Sequence, residues 1–304
     1  MATTRDELIE LWRYRYLLKM MVRRELKVRY KNSALGLIWS IIPPVLQVVV
    51  YTFLFKGVLQ LDIPNWAPYL LCGLIPWMFF STALLDSSQS LLANFGIIKK
   101  VYMPREVIPL AIVLSNIVHF FISWAVFFIA FGMIAPLWGL ITHSKIGIPR
   151  LPTLLLFPII SLMLILLTTG MALFLSAMNV FYEDIKFIVM TLLNLVVFLL
   201  PILYPADLAR NFPIMQKHPW LLKLYMLNPI TAIIDAYRKT ILEPFSASLF
   251  IQKNLKPGEI PRPDMPPVPL DWSNLAGAFL ITLLIAYLGY WYFNRRKWQI
   301  VERN

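Results

Sequence analysis

Charged residues are scarce in this chain of 304 residues, and six long stretches contain none. Asp, Glu, Lys and Arg make up 14% of the sequence, whereas a typical soluble domain has roughly 25%. A helix needs about 20 mostly apolar residues to cross a bilayer, and its backbone must be paired within the segment. The composition therefore predicts an all-α integral membrane protein with six transmembrane helices. The uncharged stretches are residues 34–55, 63–85, 107–144, 151–182, 187–206 and 272–294.

Several kinds of site chemistry lack the residues that they require. Cys72 is the only cysteine, which excludes an intrachain disulfide, and the three histidines stand at no spacing typical of metal ligands. None of the 11 glycines precedes a lysine, so the phosphate-binding pattern G-x-x-x-x-G-K-[ST] is missing. His119 is the only titratable side chain deep in a predicted span, and we interpret it as a packing residue. The sequence thus predicts no metal site, no cofactor and no ATP site in this chain, and it disfavours ion-coupled transport.

The positive charge is concentrated at the two ends of the chain. The net charge is +12, and nine Lys or Arg fall within the first 31 residues. Four more follow the last uncharged stretch. This placement favours anionic lipid headgroups over nucleic acid, and it predicts that both termini are cytoplasmic. The loop 207–271 is also basic, but it is long, and long loops cross the membrane largely regardless of charge.

The first 33 residues are predicted to form a cytoplasmic amphipathic helix that lies along the membrane surface. A plain topology anchor is the simpler alternative, since any first span needs cytoplasmic positive charge. Residues 34–304 then form the six-span domain. The pair Pro43-Pro44 lies in the first stretch and is expected to kink or weaken that helix.

Three loops have patterns of their own. After Pro229, apolar residues recur at helical spacing up to Ile241, and the opposite face carries the polar residues Asp235, Arg238, Lys239 and Glu243. Residues 220–227 are nearly all apolar. We therefore expect two short re-entrant helices between spans five and six. Seven prolines in 244–271 predict an extended segment. On the cytoplasmic side, residues 91–106 predict an amphipathic helix closed by Pro104, and residues 179–186 predict a turn.

Four segments of the chain are distinctive in sequence and order. They are 26–39 (LKVRYKNSALGLIW), 70–80 (LLCGLIPWMFF), 98–109 (IKKVYMPREVIP), and 175–186 (LSAMNVFYEDIK) together with 201–205 (PILYP). At these spacings the chain resembles the membrane subunit of ABC type-2 exporters that move surface polysaccharides. This is the family of the O-antigen, capsule and teichoic acid export permeases. Glu183 departs from the resemblance, because the family commonly has arginine there.

The resemblance implies functional roles for three groups of residues. Cytoplasmic loops would couple the permease to a separate ATPase, the interface helix would guard the substrate entrance, and aromatic rings would line the translocation path. The coupling candidates are Lys99, Lys100, Tyr102, Pro104, Arg105, Glu106, Tyr182, Glu183 and Asp184. The entrance candidates are Arg23, Arg24, Arg29 and Lys31, and the path candidates are Tyr51, Trp77, Phe79 and Phe80.

The resemblance predicts a transport subunit and not an enzyme. The chain would be the permease of an ATP-driven ABC exporter in the bacterial inner membrane, with O-antigen as the favoured lipid-linked polysaccharide. Its partners would be a second copy of itself, two copies of an ATPase subunit that binds ATP and Mg²⁺, and a polyprenyl-linked polymer. The alternatives are a small-molecule or drug exporter of the same fold and a membrane glycosyltransferase.

Overall fold

The computed structural model describes residues 4–31, 42–59, 65–142, 151–242 and 268–302, and every regular element in these residues is helical. The N-terminal part contains α1 (Thr4–Arg13), α2 (Arg15–Tyr30) and α3 (Ile42–Thr52), which continues as a π-helical segment, Phe53–Val58. The central part contains α4 (Trp66–Ala93), α5 (Phe95–Lys100), α6 (Val107–Thr142), α7 (Leu151–Leu154), α8 (Phe157–Phe181) and α9 (Ile185–Leu199). After a 3₁₀ turn, Ala206–Asn211, follow α10 (Pro213–Lys217), α11 (Pro219–Leu227), α12 (Pro229–Ile241), α13 (Trp272–Arg296) and α14 (Gln299–Glu302).

Four of these helices are long and apolar enough to cross a membrane. They are α4, the first 27 residues of α6, α8 and α13. Each falls on one of the predicted uncharged stretches, so the spans predicted at 63–85, 107–144, 151–182 and 272–294 are confirmed as long apolar helices. α8 lies between α4 and α13, and α6 packs beside α4. These four helices form the central bundle.

The described helices on the other two predicted stretches have fewer residues. α3 and its π-helical continuation cover 42–58, and residues 32–41, which hold the start of the first predicted stretch, lie outside the described part of the chain. α9 has 15 residues, which extend about 22 Å and fall short of a hydrocarbon core of about 30 Å. The predicted span 187–206 therefore contains a helix that stops at Leu199, followed by a turn that begins just before Pro201. Proline disfavours the helical conformation of the residue before it, here Leu200, which explains why α9 ends at Leu199.

The kink predicted at Pro43-Pro44 stays a prediction, because the residues before Ile42 lie outside the described part of the chain. Two other local predictions need correction. The single interface helix is two helices, α1 and α2, separated at Tyr14. The helix α5 ends at Lys100, four residues before Pro104. The carbonyl of Pro104 instead accepts the Val107 N–H at 3.1 Å, at the start of α6.

α8 and α13 approach each other through glycine. A Cβ on Gly289 would collide with the carbonyl group of Gly170, and a Cβ on Gly170 would collide with the backbone of Ala286. Small residues at such crossings let two helix backbones come close, which is how membrane helices gain packing contacts in lipid. The two spans therefore pack backbone against backbone.

Two of the short helices between α9 and α13 match the pair predicted at 220–227 and after Pro229. α12 begins with Asn228, whose side-chain oxygen accepts the Ile230 N–H at 3.1 Å, and Pro229 occupies the first helical position. Its apolar face reaches the bundle, where Tyr237 is fully buried and its hydroxyl lies 2.8 Å from Ser161 Oγ. Residues 243–267, which hold most of the predicted extended segment, lie outside the described residues.

The polar face of α12 is also covered. Arg238 is buried, and its guanidinium donates to the carbonyls of Pro201 and Ile202, to Tyr204 O at 3.1 Å and to Tyr69 O at 3.4 Å. It also lies 3.8 Å from the centroid of the Tyr69 ring. One side chain thus joins α12, α4 and the turn that follows α9.

The residues around Arg238 leave space for its guanidinium and pair the charges next to it. A Cβ on Gly73 would lie 2.9 Å from the Arg238 Nη2 atom, so glycine leaves room for the guanidinium. Next along α12, Lys239 Nζ lies 2.8 Å from Asp235 and 3.1 Å from Asp207, and all three side chains are mostly buried. The described polar residues of this face, Asp235, Arg238 and Lys239, therefore have partners inside the fold.

We expect Gly289→Ala to destabilise the folded chain, because the new methyl group overlaps the Gly170 carbonyl. Overpacking of this kind costs about 1–3 kcal/mol. The measurement is the apparent unfolding temperature in detergent. Gly132→Ala on α6 is the matched control, since an added Cβ there meets no atom within 4 Å. Equal stability of both variants would contradict the close contact of α8 and α13.

Arg238→Ala is expected to lower the unfolding temperature strongly, because several buried carbonyls lose their donor. A cost of about 3 kcal/mol or more follows from leaving such groups unsatisfied. Arg238→Lys should also be destabilised, since an ammonium group cannot reproduce the planar fork. The control is Lys223→Ala, which removes an exposed cation from α11. A lysine variant as stable as wild type would show that only the charge matters.

Candidate functional site

The loop between α4 and α6, which is the first predicted coupling loop, presents an exposed edge. Lys99 and Lys100 end α5 with exposed side chains, and Tyr102 is 77% exposed in the following loop. Lys99 Nζ lies 4.8 Å from the centroid of the Phe95 ring. Three of the predicted coupling residues are thus accessible to a partner.

The second half of this loop turns inward. Glu106 is 3% exposed, and its carboxylate lies 3.0 Å from Lys297 Nζ. Arg105 Nη1 donates to the Lys297 carbonyl at 2.7 Å, and its guanidinium lies 4.8 Å from the centroid of the Trp298 ring. Burial lowers the pKa of Arg105, and the charge of Glu106 opposes that shift. Arg105 and Glu106 therefore contact the C-terminal segment of the chain itself.

A groove of about 540 Å³ opens beside this loop. Its walls come from the loop, from the C-terminal segment and from Glu10 of α1. The basic residues on its walls are Lys99, Lys100, Arg105 and Lys297.

The turn between α8 and α9, which is the second predicted coupling element, is also exposed. Tyr182 is 63% exposed, and Glu183 and Asp184 are exposed beside it. Asn179 is buried, and its side-chain oxygen accepts the Lys186 N–H at 3.1 Å, which fixes the turn. The three predicted residues are therefore held at the start of α9 by a polar side chain from α8.

The four predicted entrance residues divide into two pairs. Arg23 on α2 and Lys31 at its C-terminal cap are exposed. Arg24 lies 3.3 Å from Glu25 and donates to the side-chain oxygen of Asn94. The first pair is accessible to a ligand, whereas Arg24 connects α2 to the end of α4.

Arg29 joins α2 to two spans at once. Its guanidinium donates to Asp86 Oδ2 at 2.6 Å on α4 and to Asn116 Oδ1 at 3.0 Å on α6. The amide of Asn116 also donates to Asp86, at 3.3 Å. About two fifths of the Arg29 and Asp86 side chains stay exposed, so water still reaches this network. Asp86 is a residue that the sequence pattern did not single out.

Arg29 also lines a cavity of about 230 Å³ between α3, α4 and α6. The cavity has a polar side formed by Arg29, Thr82, Asn116, His119 and Ser123. Its apolar side is formed by Pro43, Pro44, Ile75, Met78, Phe79 and Phe120. A basic group and uncharged hydrogen-bonding groups therefore meet apolar surface in one cavity.

The predicted path aromatics lie mainly in the core of the single chain. Trp77, Phe79 and Phe80 are buried, and Tyr51 is half-buried. The Trp77 and Phe80 ring centroids are 5.9 Å apart, and Phe79 contacts Phe120 at 4.9 Å. Only Phe79 of these four reaches the cavity just described.

The described helices and loops define an all-helical, multi-pass membrane protein with an exposed basic loop between α4 and α6. The sequence profile of the ABC-2 type transporter family matches residues 16–242. The chain belongs to the ABC-2 type transporter family.

Three similar proteins are O-antigen export system permease proteins RfbA. One from Klebsiella pneumoniae is 33% identical over 232 residues, which cover 74% of this chain and 80% of the relative. A second from Klebsiella pneumoniae is 33% identical over 228 residues, covering 73% and 78%. One from Myxococcus xanthus is 31% identical over 237 residues, covering 77% and 83%.

The Arg29–Asp86 contact predicts that α2 opens when either partner is removed. We expect Arg29→Ala and Asp86→Ala each to speed tryptic cleavage of α2, and the double variant to add little. The coupling energy should be about 1 kcal/mol, as for partly exposed ion pairs. Arg23→Ala, on the exposed side of α2, is the control. Fully additive effects would mean that the two side chains act independently.

Proposed function

We propose that this chain is the permease subunit of an ATP-driven exporter that moves lipid-linked O-antigen polysaccharide across the bacterial inner membrane. The observation that carries the proposal is the match to three O-antigen export permeases over about three quarters of the chain. The exposed cytoplasmic loops support it, because a transport subunit without an ATP site needs a docking surface for its ATPase.

The proposed topology has six spans with both termini in the cytoplasm. α3 with its π-helical continuation would be the first span, and α9 with the turn after it would be the fifth. Arg238 supports the second assignment, because it supplies donors to carbonyls in that turn where the hydrocarbon cannot. α11 and α12 would then be re-entrant from the outer side. Residues 1–33 would form the interface unit, and the external loop would be 207–271.

The proposed assembly is a homodimer with two copies of a separate ATPase subunit. Six helices in one chain enclose little space, and the rings predicted to line a path are mostly buried in the single chain, so the path would lie between copies. The ATPase subunit would bind ATP and Mg²⁺. Its closure would push on residues 99–106 and 182–184 and rearrange the spans.

Substrate would enter beside α2. Arginine and lysine suit a pyrophosphate group, since Arg presents paired donors and Lys a point charge. Arg23 and Lys31 are exposed for a first contact. Arg29, already at the polar cavity between α3, α4 and α6, would take part once its contact with Asp86 opens.

Deletion of the gene tests the proposal directly. We expect surface O-antigen to disappear and polyprenyl-linked polysaccharide to accumulate on the cytoplasmic side, because synthesis continues without export. The measurement is extraction of lipids together with surface staining of the polymer. The wild-type gene on a plasmid should restore export.

Deletion of the ATPase gene is the matched control, and it should give the same phenotype. Normal surface polymer with no trapped intermediate would contradict the proposal. That result would favour a small-molecule exporter of the same fold.

A further inference from the structure

The C-terminal segment, residues 295–300, lies against both cytoplasmic loops. Arg296 lies 5.4 Å from the centroid of the Phe181 ring, next to the second turn. Lys297 and Trp298 contact the first loop through Glu106 and Arg105. The segment therefore touches both elements that the proposed function assigns to ATPase coupling. The family profile ends at residue 242, so this segment lies outside the matched region.

The contact with the first loop is reciprocal and shielded. Lys297 sends its side chain to Glu106, while Arg105 sends its side chain back to the Lys297 carbonyl at 2.7 Å. The Lys297 and Glu106 side chains are only 11% and 4% exposed. An ion pair with so little water around it is weakly screened, and the loss of one partner leaves an uncompensated buried charge.

Apolar side chains join the same two segments. Phe293 at the end of α13 and Ile300 after it are fully buried. They share one cytoplasmic core cluster with Ile98 and Met103 of the first loop and with Met21 of α2. The loop therefore cannot shift far without moving the end of α13 or leaving a gap in this core.

The opposite end of this connection is the glycine contact between α13 and α8. Because Gly170 and Gly289 bring the two backbones together, a displacement of α13 acts directly on α8. A continuous series of packed contacts thus runs from the first loop through residues 297–300 to two spans. Such a series can carry energetic coupling between distant sites.

We propose that residues 295–300 form a C-terminal clasp that transmits movement of the first coupling loop to α13 and α8. Lys297 and Trp298 are its positioning residues for transport, and neither needs to touch substrate or ATP. The inference rests on the proposed function in one respect, namely that residues 99–106 receive the ATPase.

Lys297→Ala is the first test, made in the permease–ATPase complex reconstituted in lipid. We expect polysaccharide exported per ATP hydrolysed to fall about threefold to thirtyfold, the range for residues that modulate coupling. The amount of complex should remain near that of wild type. Lys297→Arg should restore export, because guanidinium can replace ammonium beside Glu106. Lys223→Ala, which removes an exposed cation of α11 outside this segment, is the control.

Trp298→Ala keeps the test decisive if Lys297→Ala fails to fold. The Trp298 side chain is 62% exposed, so its removal costs little burial but ends the contact with Arg105. It should lower export per ATP in the same direction as Lys297→Ala. Wild-type export per ATP in both variants would overturn the clasp. So would a loss confined to the amount of complex, since that is what a purely structural tail would show.

Hydrogen exchange distinguishes a failure of the clasp proposal from a failure of the proposed function. In the wild-type complex, ATP should change the exchange of residues 99–106 and of the end of α13 together. In the Lys297→Ala complex, ATP should change the exchange of residues 99–106 but not that of the end of α13. If wild type exports no polysaccharide but shows this linked change, the substrate proposal fails and the clasp stands. If the two segments respond independently in wild type, the clasp fails whatever is exported.

Discussion

The end of the molecule that contains α12 depends on the buried guanidinium of Arg238. The chain leaves helical geometry after Leu199, and the buried carbonyls released there need hydrogen-bond donors. Arg238 donates to three of them and to Tyr69 on α4. Gly73 provides the space that this side chain occupies. One residue thus compensates for the end of α9, and the same bonds fix the position of α12.

The sequence predicts most of the fold because a helix that lies in hydrocarbon must be apolar and uncharged along its length. Long uncharged stretches locate α4, α6, α8 and α13, and the helical spacing after Pro229 locates α12. The pattern does not reveal where a helix stops inside an uncharged stretch, as α9 does at Leu199. It also treats Arg238 and Lys239 as residues of an outer polar face, because periodicity carries no information about carbonyls or carboxylates from other segments.

The candidate site, like the fold, can be predicted from the sequence only in part. Exposed loop residues such as Tyr102 and Tyr182 can be recognised from sequence, since a charged loop between apolar stretches must leave the membrane. The partners of Glu106 and Arg29 cannot be recognised in this way. Lys297 stands 191 positions from Glu106, and Asp86 stands 57 positions from Arg29. Such pairs are set by tertiary packing alone. Because of them, Glu106 and Arg29 are not free surface charges but have defined partners in the fold.

The reactivity of the Cys72 thiol reports whether the core of the chain is folded. It is the only cysteine, and its thiol is fully buried one residue before Gly73. A buried thiol is inert toward reagents that attack the exposed thiolate. The folded protein should therefore resist alkylation completely, and its labelling by a membrane-permeant maleimide would report opening of the core that surrounds Arg238. Chemistry at one sulfur atom would then follow the state of the region around α12 without any engineered probe.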